Sequence, residues 1–304
     1  MTALPLRRRP VPDGPIDDAL IRFVEAHPVP TTPFEPRWGL SRLVLGPSSI
    51  IDAVDAEGRR VAVAAVVDAT TNDRNAAILV PLCLLPGCDG DALAAFLLGE
   101  AEAVTAAGPR NRLEVGTEDV FAGRADELQA RGYREAYRMH AMHRPLDTAP
   151  PPVPPLPEGL TWSPPTEATM RSQHEAVCRA MTPVPGASIP DFESFAARAR
   201  AMPENHGLIL RGDSVVGFLR VHPPKTVGGD GDVALIGRHP DHRGGGLGDI
   251  LVAESLRRLH AAGAGTAVLE VAAVNDAALA LYRRHGFTVT ETIPVYAKDF
   301  ASAG

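Results

Sequence analysis

The chain has 304 residues, enough for two domains of about 150, each able to bury its own core. Hydrophobic residues make up 45%, which excludes wholesale disorder, and 37 acidic against 30 basic side chains leave a formal charge of −7, the wrong sign for non-specific nucleic-acid binding. No apolar stretch approaches the roughly 18 residues of a membrane span, and Arg7–Arg9 lead into Pro-Val-Pro, not into the apolar core of a leader. A cytoplasmic protein with no membrane or nucleic-acid partner is expected.

In chain order, the first signals are Glu57-Gly58, a turn before an apolar strand, and Leu93 and Leu97, spaced for one face of a helix. Cys83, Cys88 and Cys178 are odd in number and spaced for neither a disulfide framework nor a zinc site, so Cys83 and Cys178 read as small core residues and no metal is expected. Residues 149–156 read Ala-Pro-Pro-Pro-Val-Pro-Pro-Leu; prolines fix φ and remove backbone donors, which makes this a stiff join between a domain at 1–148 and another at 157–304.

The second half predicts helices at 170–181 and 191–200 around a Pro/Gly-rich loop, then strands at 207–210 and 215–221 joined by an Arg-Gly-Asp-Ser turn. A strand at 233–236, a helix at 247–262 and a strand at 267–271 follow, which demands a parallel pair joined by a crossover. A helix at 275–285 and two closing strands at 287–289 and 295–298 complete an α/β class fold with a mixed sheet and helices on both faces.

The two halves match at a shift of 154 residues. Gly132-Tyr133 falls on Gly286-Phe287, Pro86 on Pro240, Glu57-Gly58 on Arg211-Gly212, and Leu93 and Leu97 on Leu247 and Leu251. Several matches at one offset without gaps imply a duplication.

The stretch from Ile236 to Asp249 carries the chemistry. A strand ends, Gly244, Gly245, Gly246 and Gly248 cluster, and a helix begins at Leu247. Glycines let peptide N–H groups approach a ligand, and the helix start offers unpaired donors and the positive end of the helix dipole to an anion. Arg243 adds a forked cation suited to phosphate oxygens. A Walker loop would need Gly-Lys-Ser or Gly-Lys-Thr, which is absent, and a dinucleotide fingerprint would follow the first strand, whereas this loop follows about the third.

Arg243-x-x-Gly246-x-Gly248, after a strand and Pro240, resembles the acetyl-CoA loop of the GNAT acetyltransferase superfamily. Asn275-x-x-Ala278-x-x-x-Tyr282-x-x-x-Gly286-Phe287 is similar to its second motif, and the tandem layout with a Pro-rich join is similar to that of mycothiol synthases. The resemblance covers about 160–300. It implies acetyl-CoA as co-substrate, with Arg243, Gly244, Gly245, Gly246, Leu247, Gly248 and Asp249 at the diphosphate. It also implies that main-chain groups of Ile236, Gly237 and Arg238 pair with the pantetheine arm between two splayed strands, Gly237 supplying a bulge, with Asn275 near the cofactor. Tyr282, two helical turns beyond Asn275, is the expected proton donor to the leaving thiolate.

Asp232 is the first choice of base for the attacking amine, although the same position suits a turn residue; Glu270 and Asp230 come behind it. The implied reaction is N-acetylation of a small primary amine by direct attack on the thioester. The alternatives are a protein or longer-acyl transferase, or a non-catalytic acyl-CoA-binding module. The loop around Thr182–Phe195, with Asp191 and Glu193, is expected to face the acceptor and to suit a cationic amine, His206 and His222 are candidate pocket residues, and His239 and His242 read as exposed loop residues. A monomer or homodimer is expected.

At the same offset, Arg243, Gly245, Gly246 and Gly248 become Asp89, Asp91, Ala92 and Ala94, while Asn275 and Tyr282 become Phe121 and Leu128. The first half is therefore expected to keep the fold as a degenerate GNAT-like domain and to lack the cofactor loop.

Overall fold

The computed structural model describes residues 6–11, 18–27, 49–69, 76–85, 89–148, 150, 152–185, 187, 189, 191–242 and 245–301. The chain divides into two compact units, one of Met1–Tyr137 with Pro294–Gly304, the other of Arg138–Ile293.

The first unit holds β1 (Arg7–Arg9), α1 (Asp18–Ala26), β2 (Ile50–Val54), β3 (Arg60–Ala69), β4 (Ala76–Leu84), α2 (Gly90–Ala107), β5 (Arg112–Gly116), α3 (Ala125–Ala130) and the start of β6 (Arg134–Pro145). Its strands lie in the order β1-β2-β3-β4-β5, with β4 and β5 parallel from Ala76↔Arg112 to Leu79↔Val115. Leu93, Leu97 and Ala101 put one stripe of α2 into a core with Leu113, Val115 and Phe121. The last strand of this sheet comes from the chain's end: within β12 (Thr288–Asp299), Val295–Asp299 pair antiparallel with Gly116–Arg112.

The second unit holds β7 (Thr161–Ser163), α4 (Glu167–Met181), α5 (Phe192–Ala201), β8 (His206–Arg211), β9 (Ser214–His222), β10 (Asp230–Arg238), α6 (Leu247–Ala261), β11 (Thr266–Ala272), α7 (Asp276–Arg284) and the first part of β12. Its strands run β7-β8-β9-β10-β11-β6, the β6 residues Met139–Pro145 lying antiparallel to β11. Alternate residues of β9 serve opposite faces. Leu219 and Val221 join Leu251, Leu256 and Leu279 of α6 and α7, whereas Val215 and Phe218 join Met170, Val177 and Phe195 of α4 and α5. The mixed sheet carries helices on both faces, as the pattern predicts.

The duplication is visible in the element bounds. β1, β4 and β6 span 7–9, 76–84 and 134–145; β7, β10 and β12 span 161–163, 230–238 and 288–299, each 154 residues later. The unit division nevertheless differs from the expected 1–148 and 157–304. The closing strand of each repeat is shared out, so the breaks fall at 137/138 and 293/294 and not in the proline-rich join. For the same reason the two expected closing strands are one: Thr-Glu-Thr-Ile-Pro at 290–294 reads as a turn in sequence, yet β12 runs straight through it.

Gly237 does not form the bulge expected of it. The register slips by one residue nearer the start of β10, between Asp232 and Leu235 against β9, while Gly237 lies opposite Phe218, whose ring a Cβ would strike. The ring, not the backbone, requires glycine there. Gly237→Ala should lower stability by about 1–3 kcal/mol, the range for overpacked cores, and pairing it with Phe218→Leu should recover part of the loss. Denaturant unfolding of the three variants checks this.

Candidate active site

Two strands part at the centre of the second unit. β10 and β11 pair in parallel at three positions only, Asp230↔Thr266, Gly231↔Ala267 and Asp232↔Val268. Beyond them β10 continues to Arg238 on β9 alone, and β11 continues to Ala272 on β6 alone. The main-chain groups of Ile236, Gly237 and Arg238 that point away from β9 thus meet no strand, and neither do those of β11 beyond Val268 that point away from β6. Backbone donors and acceptors left open along two diverging edges suit an extended, amide-bearing ligand laid between them.

The open end of this cleft leads to the start of α6. Gly246 is its N-cap, with φ +71°, and supplies no capping side chain. A Cβ on Gly245 or Gly246 would meet nothing within 4 Å among the described residues, which leave space above the helix start. The first N–H groups of α6, from Leu247 to Asp249, are left to a ligand or water. Leu247 is buried in the core, so only its main chain faces this space. Gly248 is a packing glycine: a Cβ would come 3.0 Å from Leu281 Cδ2 and 3.2 Å from a terminal guanidinium nitrogen of Arg238. That contact brings the Arg238 side chain, assigned only a main-chain role from sequence, to the first turn of α6. Asp249 has a different task. Its carboxylate accepts from His285 Nε2 at 3.0 Å and from Arg284 at 3.2 Å, which ties α6 to the end of α7. Arg243 and Gly244 lie outside the described residues.

The equivalent helix start in the first unit is closed. Asp89 caps α2, accepting from the N–H groups of Asp91 and Ala92 at 3.0 and 3.2 Å, and Asp91 is paired with Arg124 at 2.6 Å. The carboxylate fills the donors and adds the charge that repels an anion.

Asn275 caps α7, its side chain accepting from Ala278 N at 3.2 Å. Tyr282 packs on the core beside Phe287, with ring centroids 5.9 Å apart. Burial pushes its hydroxyl up to about 12, so it holds its proton at neutral pH. Asp232 is not free: its carboxylate lies 3.2 Å from His222 Nδ1. Glu270, two residues past the last β10–β11 pair, has a solvent-accessible side chain that stands among protein groups at the cleft. Burial first, then the negative charges of Asp232 and Glu291, push it up to about 7. A recess of about 710 Å³ lined by Trp162, Asn205, Val221 and Arg258 lies elsewhere, touching neither Tyr282 nor the start of α6. His239 is less exposed than expected, standing 3.2 Å from Arg179 and 3.5 Å from Asp241.

Residues 174–287 match the acetyltransferase (GNAT) family model. The second unit carries a GNAT acetyltransferase domain. This family transfers acyl groups from acyl-CoA and uses acetyl-CoA as co-substrate. No curated protein matches the chain. Among solved structures, a tandem GNAT protein from the clavulanic acid biosynthesis pathway is 17% identical with a TM-score of 0.69, and the match covers 99% of this chain and 100% of that one. A GCN5-related N-acetyltransferase from Sphaerobacter thermophilus is 23% identical with a TM-score of 0.59, covering 86% and 81%. The N-myristoyltransferase of Saccharomyces cerevisiae with bound myristoyl-CoA is 11% identical with a TM-score of 0.67, covering 99% and 80%. At these identities the likeness is one of fold, and the tandem arrangement is shared along the whole chain. The likeness to mycothiol synthases rests on that layout alone.

Sequence reasoning ranked Asp232 above Glu270; only the strand register shows Asp232 turned to His222 and Glu270 standing at the parting of the GNAT domain's strands. The carboxyl of Glu270 should titrate near 7 in a carbon-detected NMR titration, and Asp232→Asn should move it down toward the ordinary carboxylate range. An unchanged titration would remove Asp232 from its surroundings.

Proposed function

We propose that the second unit moves an acetyl group from acetyl-CoA to a primary amine of a small molecule by direct attack of the amine on the thioester. The observation that carries this reading is the open helix start at Gly246–Asp249 lying beyond two parted strands. The N–H groups of Leu247, Gly248 and Asp249, with the side chains of Arg238 and Arg243 and the bare backbone of Gly244 and Gly245, hold the diphosphate. The free edges of Ile236, Gly237 and Arg238 hold the pantetheine amides, and Asn275 fixes the start of α7 beside them. A peptide N–H on the parted edge faces the thioester oxygen and stabilises its charge.

Glu270 accepts the proton of the attacking amine, in preference to Asp232. Its position near 7 places it close to the working pH, where a base is ionised in a substantial fraction and still strong enough to act. Asp232 acts on it through charge. Tyr282 donates its proton to the departing thiolate, for which a hydroxyl held protonated is the suitable state. The first unit, whose helix start is capped by Asp89, binds no acetyl-CoA; the proline-rich stretch at 149–156 separates the two repeats in sequence. The protein acts in the cytoplasm as a monomer or homodimer.

Tyr282→Phe should lower kcat at least tenfold while changing acetyl-CoA affinity less than threefold, and Arg243→Glu should do the reverse, weakening acetyl-CoA binding at least tenfold with an unchanged unfolding midpoint. Steady-state kinetics and calorimetry separate the two. The rate should climb as pH rises through about 7, because Glu270 must lose its proton to act. Equal losses of turnover and affinity in Tyr282→Phe would reduce that residue to packing.

A further inference from the structure

On the α4/α5 face of the second unit, β8 and β9 place His206 opposite Arg220, and the next inward position on β9 is His222. His206 is 2% exposed. Its Nδ1 is 3.1 Å from Gln173 Nε2, so the amide donates and the neutral ring carries its proton on Nε2. That Nε2 has no partner, and neither has the Nε of Arg220 or the Oε1 of Gln173; all three atoms are buried. Native proteins leave few such atoms, and three on neighbouring residues mark a place where polar groups are missing.

The charges tell the same story. Three guanidiniums, Arg220, Arg198 and Arg258, bear on His206, with His222 beside them. Arg258 is bound to Glu254 and to the His206 carbonyl, and His222 to Asp232. Arg198, from α5, and Arg220 form no ion pair or hydrogen bond among the described residues, although burial presses on both. Both side chains are half-buried, and two neighbouring guanidiniums with no anion beside them repel each other. Asp232 reaches Arg220 with its field but is committed to His222. The acids expected to face the acceptor do not balance these cations. Asp191 caps α5, accepting from the N–H and hydroxyl of Ser194, and Glu193 is exposed.

We infer that Arg220 and Arg198, with the Nε2–H of His206, bind a carboxylate on the acceptor, so that the acetylated amine belongs to an amino acid or a similar amino carboxylic acid. This rests on the transferase reading for the amine end and on the unpaired cations for the acid end. The site is then polar in the sense a zwitterion needs. Asp232, Glu270 and Glu291 collect negative charge at the parting of β10 and β11. Arg220 carries positive charge one to two strands away, on the order of 5–10 Å at the ordinary strand spacing, and Arg198 adds its field from α5. Arg220→Met keeps an unbranched apolar stem and removes the charge.

Two measurements test the inference. In the first, CoA release is compared for amines with and without the carboxylate: ornithine against putrescine, tyrosine against tyramine, histidine against histamine. The wild type should favour the acid member by tenfold or more in kcat/KM, and Arg220→Met should erase that preference without altering acetyl-CoA affinity. O-phosphoethanolamine, run beside β-alanine, distinguishes a phosphate from a carboxylate. In the second, denaturant unfolding without ligands should show Arg220→Met no less stable than the wild type, because the cation it removes is uncompensated. A preference for the decarboxylated amines or for the phosphate, or a clear loss of stability in Arg220→Met, would overturn the proposal. If no amine is acetylated, or acetyl-CoA does not bind, the transferase reading fails and the unfolding comparison still decides whether the anion site exists.

Discussion

Everything chemical in this chain depends on β10 and β11 staying together for three residue pairs and then letting go. A parallel pair that ran its full length would satisfy its own main chain and leave nothing for a ligand. A pair that never met would lack a fixed point from which to open. The one-residue slip of β10 against β9 between Asp232 and Leu235 falls where the parting begins, and an extra residue bends a strand away from its line. From that point the geometry is set by packing: Phe218 against bare Gly237, and Leu281 and Arg238 against bare Gly248. Three glycine positions thus act differently, Gly246 through its left-handed backbone and the other two through the neighbours that a Cβ would strike.

The duplication supplies an internal control. Both repeats carry a parallel pair at the same offset and a helix after it. One place where they differ is the first turn of that helix. In one repeat the first N–H groups are bare under glycine; in the other Asp89 has taken them, and Asp91 is neutralised by Arg124. A single carboxylate at an N-cap satisfies donors that an anion would use and adds negative charge there, while the frame around it keeps the same offset.

Much of this is legible in the residues. The glycine loop, the N-cap Asn275 and the capping role of Asp89 follow from local rules that need no neighbours. The loop's place after a strand follows from periodicity. The site's electrostatics do not. Glu270 looks like one charged residue in an apolar strand until the register sets it beside the charges of Asp232 and Glu291. Arg220 and His206 meet only because β8 and β9 pair in one register, though the charge in Val215–His222, an otherwise apolar strand, is a signal that sequence reading passed over. The sharing of β6 and β12 between the units was also beyond reach, since strand length in sequence does not name a partner.

Hydrogen exchange of the backbone amides with and without acetyl-CoA reads directly whether the parted strands and the bare helix start take the ligand. Exchange should slow at 234–238, 247–249 and 269–272, and should not change at the start of α2 around Asp91 and Ala92. Protection at α2, or exchange unchanged along the parted strands while acetyl-CoA is bound, would contradict that reading.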